Sequence, residues 1–267
     1  MNEASPGQPL TYASYLCVDD LLSLQRPRSS PPEHDETLFI IIHQTYELWF
    51  RQILHELPFL MQALAQGDGH LALHTFRRVL TILKTLVAQI DILETMTPVS
   101  FASFRSRLES ASGFQSVQFR QVEIALGKRD AKILDHFRHD AAAYAVLRQM
   151  TSQPTVYDAF VRYLLSLGYP VPQGLIERDV REPVVPSPEL RAILLQVYRE
   201  QSLAAAVCER MVDLDEGLQE WRYRHVKMVE RTLGSKGGTG GSSGADYLCS
   251  TLFKPLFEDL WILRADL

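Results

Sequence analysis

The chain has 267 residues, 46% of them hydrophobic and 22% charged, with a formal net charge of −5. That length accommodates one or two domains with a sizeable core, and a pI near 5.9 gives no general attraction to nucleic acid or anionic lipid. Three widely spaced cysteines (Cys17, Cys208 and Cys249) form no Cys-x-x-Cys pair, which argues against a zinc ribbon, a disulfide framework and a c-type haem attachment.

The longest unbroken apolar run, AAAYAVL at residues 141–147, is far too short for a bilayer span of ~20 residues. The segment MNEASPGQP lacks a basic-then-apolar signal pattern, so a soluble, cytoplasmic protein is expected. Residues 1–10 are expected to be disordered, with a short helix following at 12–24. After the loop RPRSSPPEHDE a long helix is expected from Thr37, with Asp35 or Glu36 favouring its first turn. In it Phe39, Ile42, Tyr46, Trp49, Ile53 and Leu57 recur every three or four residues and form one apolar stripe. Pro58 lacks a backbone donor and is expected to kink or end this helix.

Gly67 and Gly69 mark a turn before a second long helix, 70–94. Thr97 followed by Pro98 reads as the cap and first position of a third. Further helices are expected near 114–126, 129–138, 141–150 and 154–167, and the five-proline stretch 168–189 reads as an extended connection. Helices at 188–213 and 215–233, a Gly/Ser loop and a last helix at 246–261 complete the chain. Nothing alternates like a βαβ unit and no repeat period stands out. The expectation is all-α: a bundle of about ten to twelve helices forming a single domain over 1–267.

Four places depart from a featureless bundle. His43 lies four residues after Phe39 and three before Tyr46, so it projects from the apolar stripe; it is either a core histidine bonded to a neighbour or a functional group. In LQEWRYRHVKMVERTLG, residues 218–234, Leu218, Trp221, His225, Met228, Val229 and Thr232 share a face flanked by Arg222, Arg224, Lys227 and Arg231. A lone histidine among apolar groups with cations beside it suits a haem axial ligand, whose propionates such cations can meet. It equally suits a core histidine under a solvated basic rim.

The loop GSKGGTGGSSG, residues 234–244, is neither a P-loop nor a dinucleotide fingerprint. It is a flexible linker, or a loop that folds over a ligand with Thr239 as its polar contact. Finally, Phe101, Arg105 and Leu108 share one helix face, where the arginine either snorkels to water or holds a carboxylate. The pairs His70/His74 and His136/His139 lack the glutamate of a zincin, and no Glu-x-x-His occurs, which disfavours a zincin or a di-iron bundle. These four histidines are expected at the surface.

Six stretches together resemble the haem-dependent tryptophan 2,3-dioxygenases: LTYASYL (10–16), HDETLFIIIHQTYELWFRQILHEL (34–57), LETMTP (93–98), SGFQS (112–116), WRYRH (221–225) and GTGGSSG (238–244). The resemblance implies a haem pocket inside the bundle and a homotetramer with one haem b per subunit, active as ferrous haem. It also implies cleavage of the indole C2–C3 bond of L-tryptophan by O₂ to N-formyl-L-kynurenine, the first step of tryptophan catabolism by the kynurenine pathway. Position by position, it implies that His225 is the proximal iron ligand and that His43 accepts a hydrogen bond from the indole N–H. Phe39 would be the aromatic wall, Arg105 the partner of the substrate carboxylate and Thr239 the contact to its ammonium. Leu108 and Ser112 would line the pocket, and Tyr12, Tyr15 and Leu16 would reach into the pocket of a neighbouring subunit.

Phe101 stands where the family often has tyrosine, Ala13 replaces a frequent glycine, and Pro58 is unusual within the helix. A sister oxygenase for tyrosine or a substituted tryptophan, a haem sensor and a plain structural bundle are the competing readings. No nucleic acid or membrane partner is expected.

Overall fold

The computed structural model describes residues 9–234, 236 and 248–267. The expectations for residues 1–8, for the glycine loop with Thr239, and for the start of the last helix at 246 lie outside them. Among the described residues there is no strand, and the all-α expectation holds.

The short N-terminal helix is two, α1 (Tyr12–Leu16) and α2 (Val18–Leu22), separated at Cys17, whose φ of 50° is left-handed. The first long helix, α3 (His34–Ala65), starts one turn before Thr37. The buried Glu36 carboxylate lies in that extra turn and accepts the backbone N–H groups of Arg28 at 2.6 Å and Ser29 at 3.0 Å, pinning the preceding loop. Pro58 neither ends nor divides α3, contrary to the sequence expectation. Ile53, Leu57, Leu60 and Leu64 on either side of it are 2% exposed or less. Burial of four such side chains at about 1.5–3 kcal/mol each outweighs the ~3 kcal/mol penalty of an internal proline.

Helix α4 (Gly69–Leu93) follows a three-residue turn and packs back along α3. The turn is close to its neighbours: a Cβ on Gly69 would lie 2.5 Å from the Tyr163 hydroxyl and 2.8 Å from Leu203. Helix α5 (Pro98–Arg105) begins as expected, the Thr97 hydroxyl accepting from Ser100 N–H at 3.1 Å. Next come α6 (Val117–Ala125), α7 (Ala131–His136), α8 (Ala141–Thr151) and α9 (Val156–Ser166). The proline-rich connection contains one short helix, α10 (Gln173–Ile176).

The C-terminal third differs from expectation in its breaks. Helix α11 (Pro188–Arg199) ends early, because Gln201 adopts φ 48° and Ser202 is extended. Helix α12 (Leu203–Leu233) then runs unbroken through the acidic stretch where a break is expected at 214. There Leu214 and Asp215 are 1% and 0% exposed. The Asp215 carboxylate accepts from Leu256 N at 2.8 Å and Trp261 Nε1 at 2.9 Å, so a formally polar position is an interior tie. Leu248 and Cys249, within the expected last helix, are helical, but the left-handed Phe253 and Pro255 interrupt it, and the chain resumes as α13 (Glu258–Ile262) and a 3₁₀ turn.

Helix α4 lies between α3 and α12, while α6 and α9 pack on α3. One end of the α3–α4–α12 layer, closed by α5 and α6, is hollow.

Candidate functional site

The hollow is a cavity of about 230 Å³ whose walls include residues of α3, α4, α5, α6, α12 and the 108–116 segment. His43 enters from α3, and its Nδ1 lies 2.7 Å from the backbone carbonyl oxygen of Phe39, one turn back. A carbonyl only accepts, so Nδ1 carries the proton and Nε2 is left as the acceptor. Burial lowers the His43 pKa, opposed by the Phe39 bond and by the Glu47 charge, and the ring is neutral. Phe39 packs on it at a centroid distance of 4.1 Å. Phe101 and Phe104 back Phe39 at 5.7 and 5.6 Å.

His225 enters from α12 and lines the same cavity. Burial pushes its pKa down to about 4, with the Arg120 charge adding to the effect. The Trp221 ring stacks on it at 5.4 Å and 11°. No hydrogen bond joins this imidazole to another described residue. It is a neutral ring with a bare nitrogen lone pair, the form in which histidine binds a metal.

Arg105, at the end of α5, and Leu108 and Ser112 also line the cavity. The Ser112 hydroxyl accepts from Phe114 N–H at 3.3 Å and shapes the turn into α6. His43, Phe39, Phe101, Arg105, Leu108, Ser112 and His225 are therefore brought together. Tyr12, Tyr15 and Leu16 are not: they stand on α1 at 79%, 70% and 46% exposure, outside the cavity of their own chain. The histidine pairs 70/74 and 136/139 are exposed, as expected.

The cations flanking His225 divide differently from the sequence reading. Arg224 pairs with Asp91 at 2.7 Å and Glu94 at 3.2 Å, Lys227 with Glu230 at 2.8 Å, and Arg231 with Glu94 at 3.4 Å. Only Arg222 of the four lines the cavity. Beside it stand Arg120 and Glu123 of α6, which sequence reasoning missed. A buried Arg–Glu pair at i, i+3 amid Phe119, Val122 and Ile124 was the available signal.

These features define an all-helical protein with a largely apolar interior cavity lined by two neutral imidazoles. The tryptophan 2,3-dioxygenase family profile matches residues 1–182 and 186–267. The chain is 58% identical to a tryptophan 2,3-dioxygenase of Herpetosiphon aurantiacus, over 98% of this chain and 100% of that one. It is 56% identical to one of Anaeromyxobacter dehalogenans, over 97% and 96% respectively. A tryptophan 2,3-dioxygenase of Caulobacter vibrioides is 43% identical over 98% of this chain and all of its own. The chain belongs to the tryptophan 2,3-dioxygenase family.

Proposed function

We propose that the chain is a single-domain haem enzyme that cleaves the indole C2–C3 bond of L-tryptophan with O₂, both oxygen atoms ending in N-formyl-L-kynurenine. The relatives' shared name supports the reaction, and nothing in the cavity favours a tyrosine substrate or a sensor. The observation that carries the residue assignments is the pair of neutral imidazoles lining one aromatic cavity.

The residues present fit a haem. His225 offers a buried, neutral nitrogen lone pair with no competing partner among the described residues. Haem, when bound, supplies the iron that makes dioxygen reactive. The chain's own residues do the rest. Nε2 of His43 accepts the indole N–H, which would otherwise be buried unpaired at a cost of about 1–3 kcal/mol. Phe39, Phe101 and Leu108 enclose the ring and keep water out. Arg105 pairs with the carboxylate, and Thr239 is assigned to the ammonium by resemblance alone. Phe101 keeps an aromatic wall without a tyrosine hydroxyl.

A homotetramer follows from the same reading. The exposed Tyr12, Tyr15 and Leu16, at i, i+3 and i+4 of α1, present an apolar face suited to a neighbouring subunit's pocket. No helix among the described residues is long and apolar enough to cross a membrane.

The test is the absorption spectrum of reduced, haem-supplemented protein before and after L-tryptophan and O₂, followed at the formylkynurenine band. A Soret band lost in His225→Ala and product formed only by the intact protein are expected. A Soret band undiminished in that variant rejects the ligand assignment.

A further inference from the structure

Glu123 is 3% exposed and touches three cations: Arg120 Nη1 at 2.6 Å, Lys128 Nζ at 2.9 Å and Arg222 Nη2 at 2.5 Å. Burial alone would raise the Glu123 pKa, but Arg120, then Arg222 and Lys128, bring it down to about 2. One carboxylate among three cations leaves the cluster with positive charge in excess, and of those cations Arg120 and Arg222 line the cavity. Arg120 and Arg222 are 5% and 6% exposed, so water does little to compensate them. Buried excess charge is costly unless a counter-charge arrives.

The guanidinium of Arg120 is held on three sides. Nη1 is on Glu123, and the Phe114 and Phe119 rings lie at 4.7 and 5.4 Å from Cζ. Its Nε is buried and has no hydrogen-bond partner among the described residues, although the side chain lines the cavity. A rigid cation that lines an interior space and keeps an uncommitted N–H suits a carboxylate.

We propose that Arg120, fixed by Glu123, anchors a carboxylate inside the cavity, and that this carboxylate is a propionate of the haem; the assignment rests on the haem reading above. The substrate carboxylate is the other source of the same chemistry. It is disfavoured because Arg105 offers a separate cation on α5. Arg120 instead belongs to the His225 side: its charge acts on that imidazole, and its cluster partner Arg222 stands one turn before His225 on α12.

Apo-protein titrated with haem and with haem dimethyl ester, whose propionates are blocked, separates the possibilities through the Soret band. The wild type is expected to prefer haem by about tenfold or more, the worth of one charge-assisted hydrogen bond. Arg120→Met brings that ratio close to one, and Arg120→Lys restores part of it. Arg120→Gln, which can still donate to Glu123, serves where the Met variant fails to fold. A ratio unchanged in these variants overturns the assignment; so does an unchanged ratio accompanied by weakened L-tryptophan binding, which would give Arg120 to the substrate. A wild type that binds both porphyrins equally also overturns it, whereas one that binds neither overturns the haem reading itself.

Discussion

The Phe39 carbonyl oxygen and the His43 Nδ1 are 2.7 Å apart within one turn of α3. The helix supplies that acceptor wherever a histidine stands, but here the ring also packs on the Phe39 side chain at 4.1 Å. The bond and the packing together fix both tautomer and orientation, so the imidazole presents an acceptor to the cavity rather than a proton.

His43→Ala is therefore expected to lower kcat/KM for L-tryptophan by roughly tenfold to a hundredfold, the cost of leaving one buried donor unpaired. With 1-methyltryptophan, which has no indole N–H, the same substitution should cost far less. Equal losses on both substrates would require a second role for His43.

Arg105→Ala should bind haem as the parent does and lose about 2–4 kcal/mol in kcat/KM for L-tryptophan. Soret titration and steady-state kinetics check the two halves separately. An unchanged kcat/KM rejects Arg105 as the carboxylate partner.

Acid should destabilise the haem-free protein earlier than carboxylate titration alone would predict. His225 protonates only near pH 4 when folded but at an ordinary 6.5 when unfolded, so between those values the unfolded chain binds the extra proton. Stability then falls as pH drops through that window, by at most about 3 kcal/mol from this group. His43, also lowered, acts in the same direction. The Glu123 contribution persists to lower pH and is lost as pH falls from its unfolded 4.5 towards about 2. Urea unfolding of apo-protein at pH 7 and pH 5 measures the slope, and His225→Phe should flatten it.

Pro58→Ala should stabilise the protein. The position is exposed on a continuous helix, so alanine restores the bond to the Leu54 carbonyl without new contacts. The intrinsic gain of up to ~3 kcal/mol is offset by greater unfolded-state freedom of ~1 kcal/mol. A rise in Tm is expected, and a fall would show that the proline shapes the packing of α3.

Local patterns alone determined the helical class, the Thr97–Pro98 start, the apolar stripe of α3 and the two histidines on apolar faces, because 3.6-residue periodicity and capping are properties of neighbouring residues. The resemblance added the chemistry of the site. Tertiary structure decided what depends on distant partners. Pro58 stays helical because buried leucines on both sides hold it, and Asp215 sits inside a helix because Leu256 and Trp261 reach it. Arg224 and Arg231 are spent on Asp91 and Glu94, while Arg120 and Arg222 meet at Glu123 from different helices. A charge's role is set by which opposite charge packs against it, and with Glu123 and Arg222 standing 99 positions apart only the folded chain specifies that pairing.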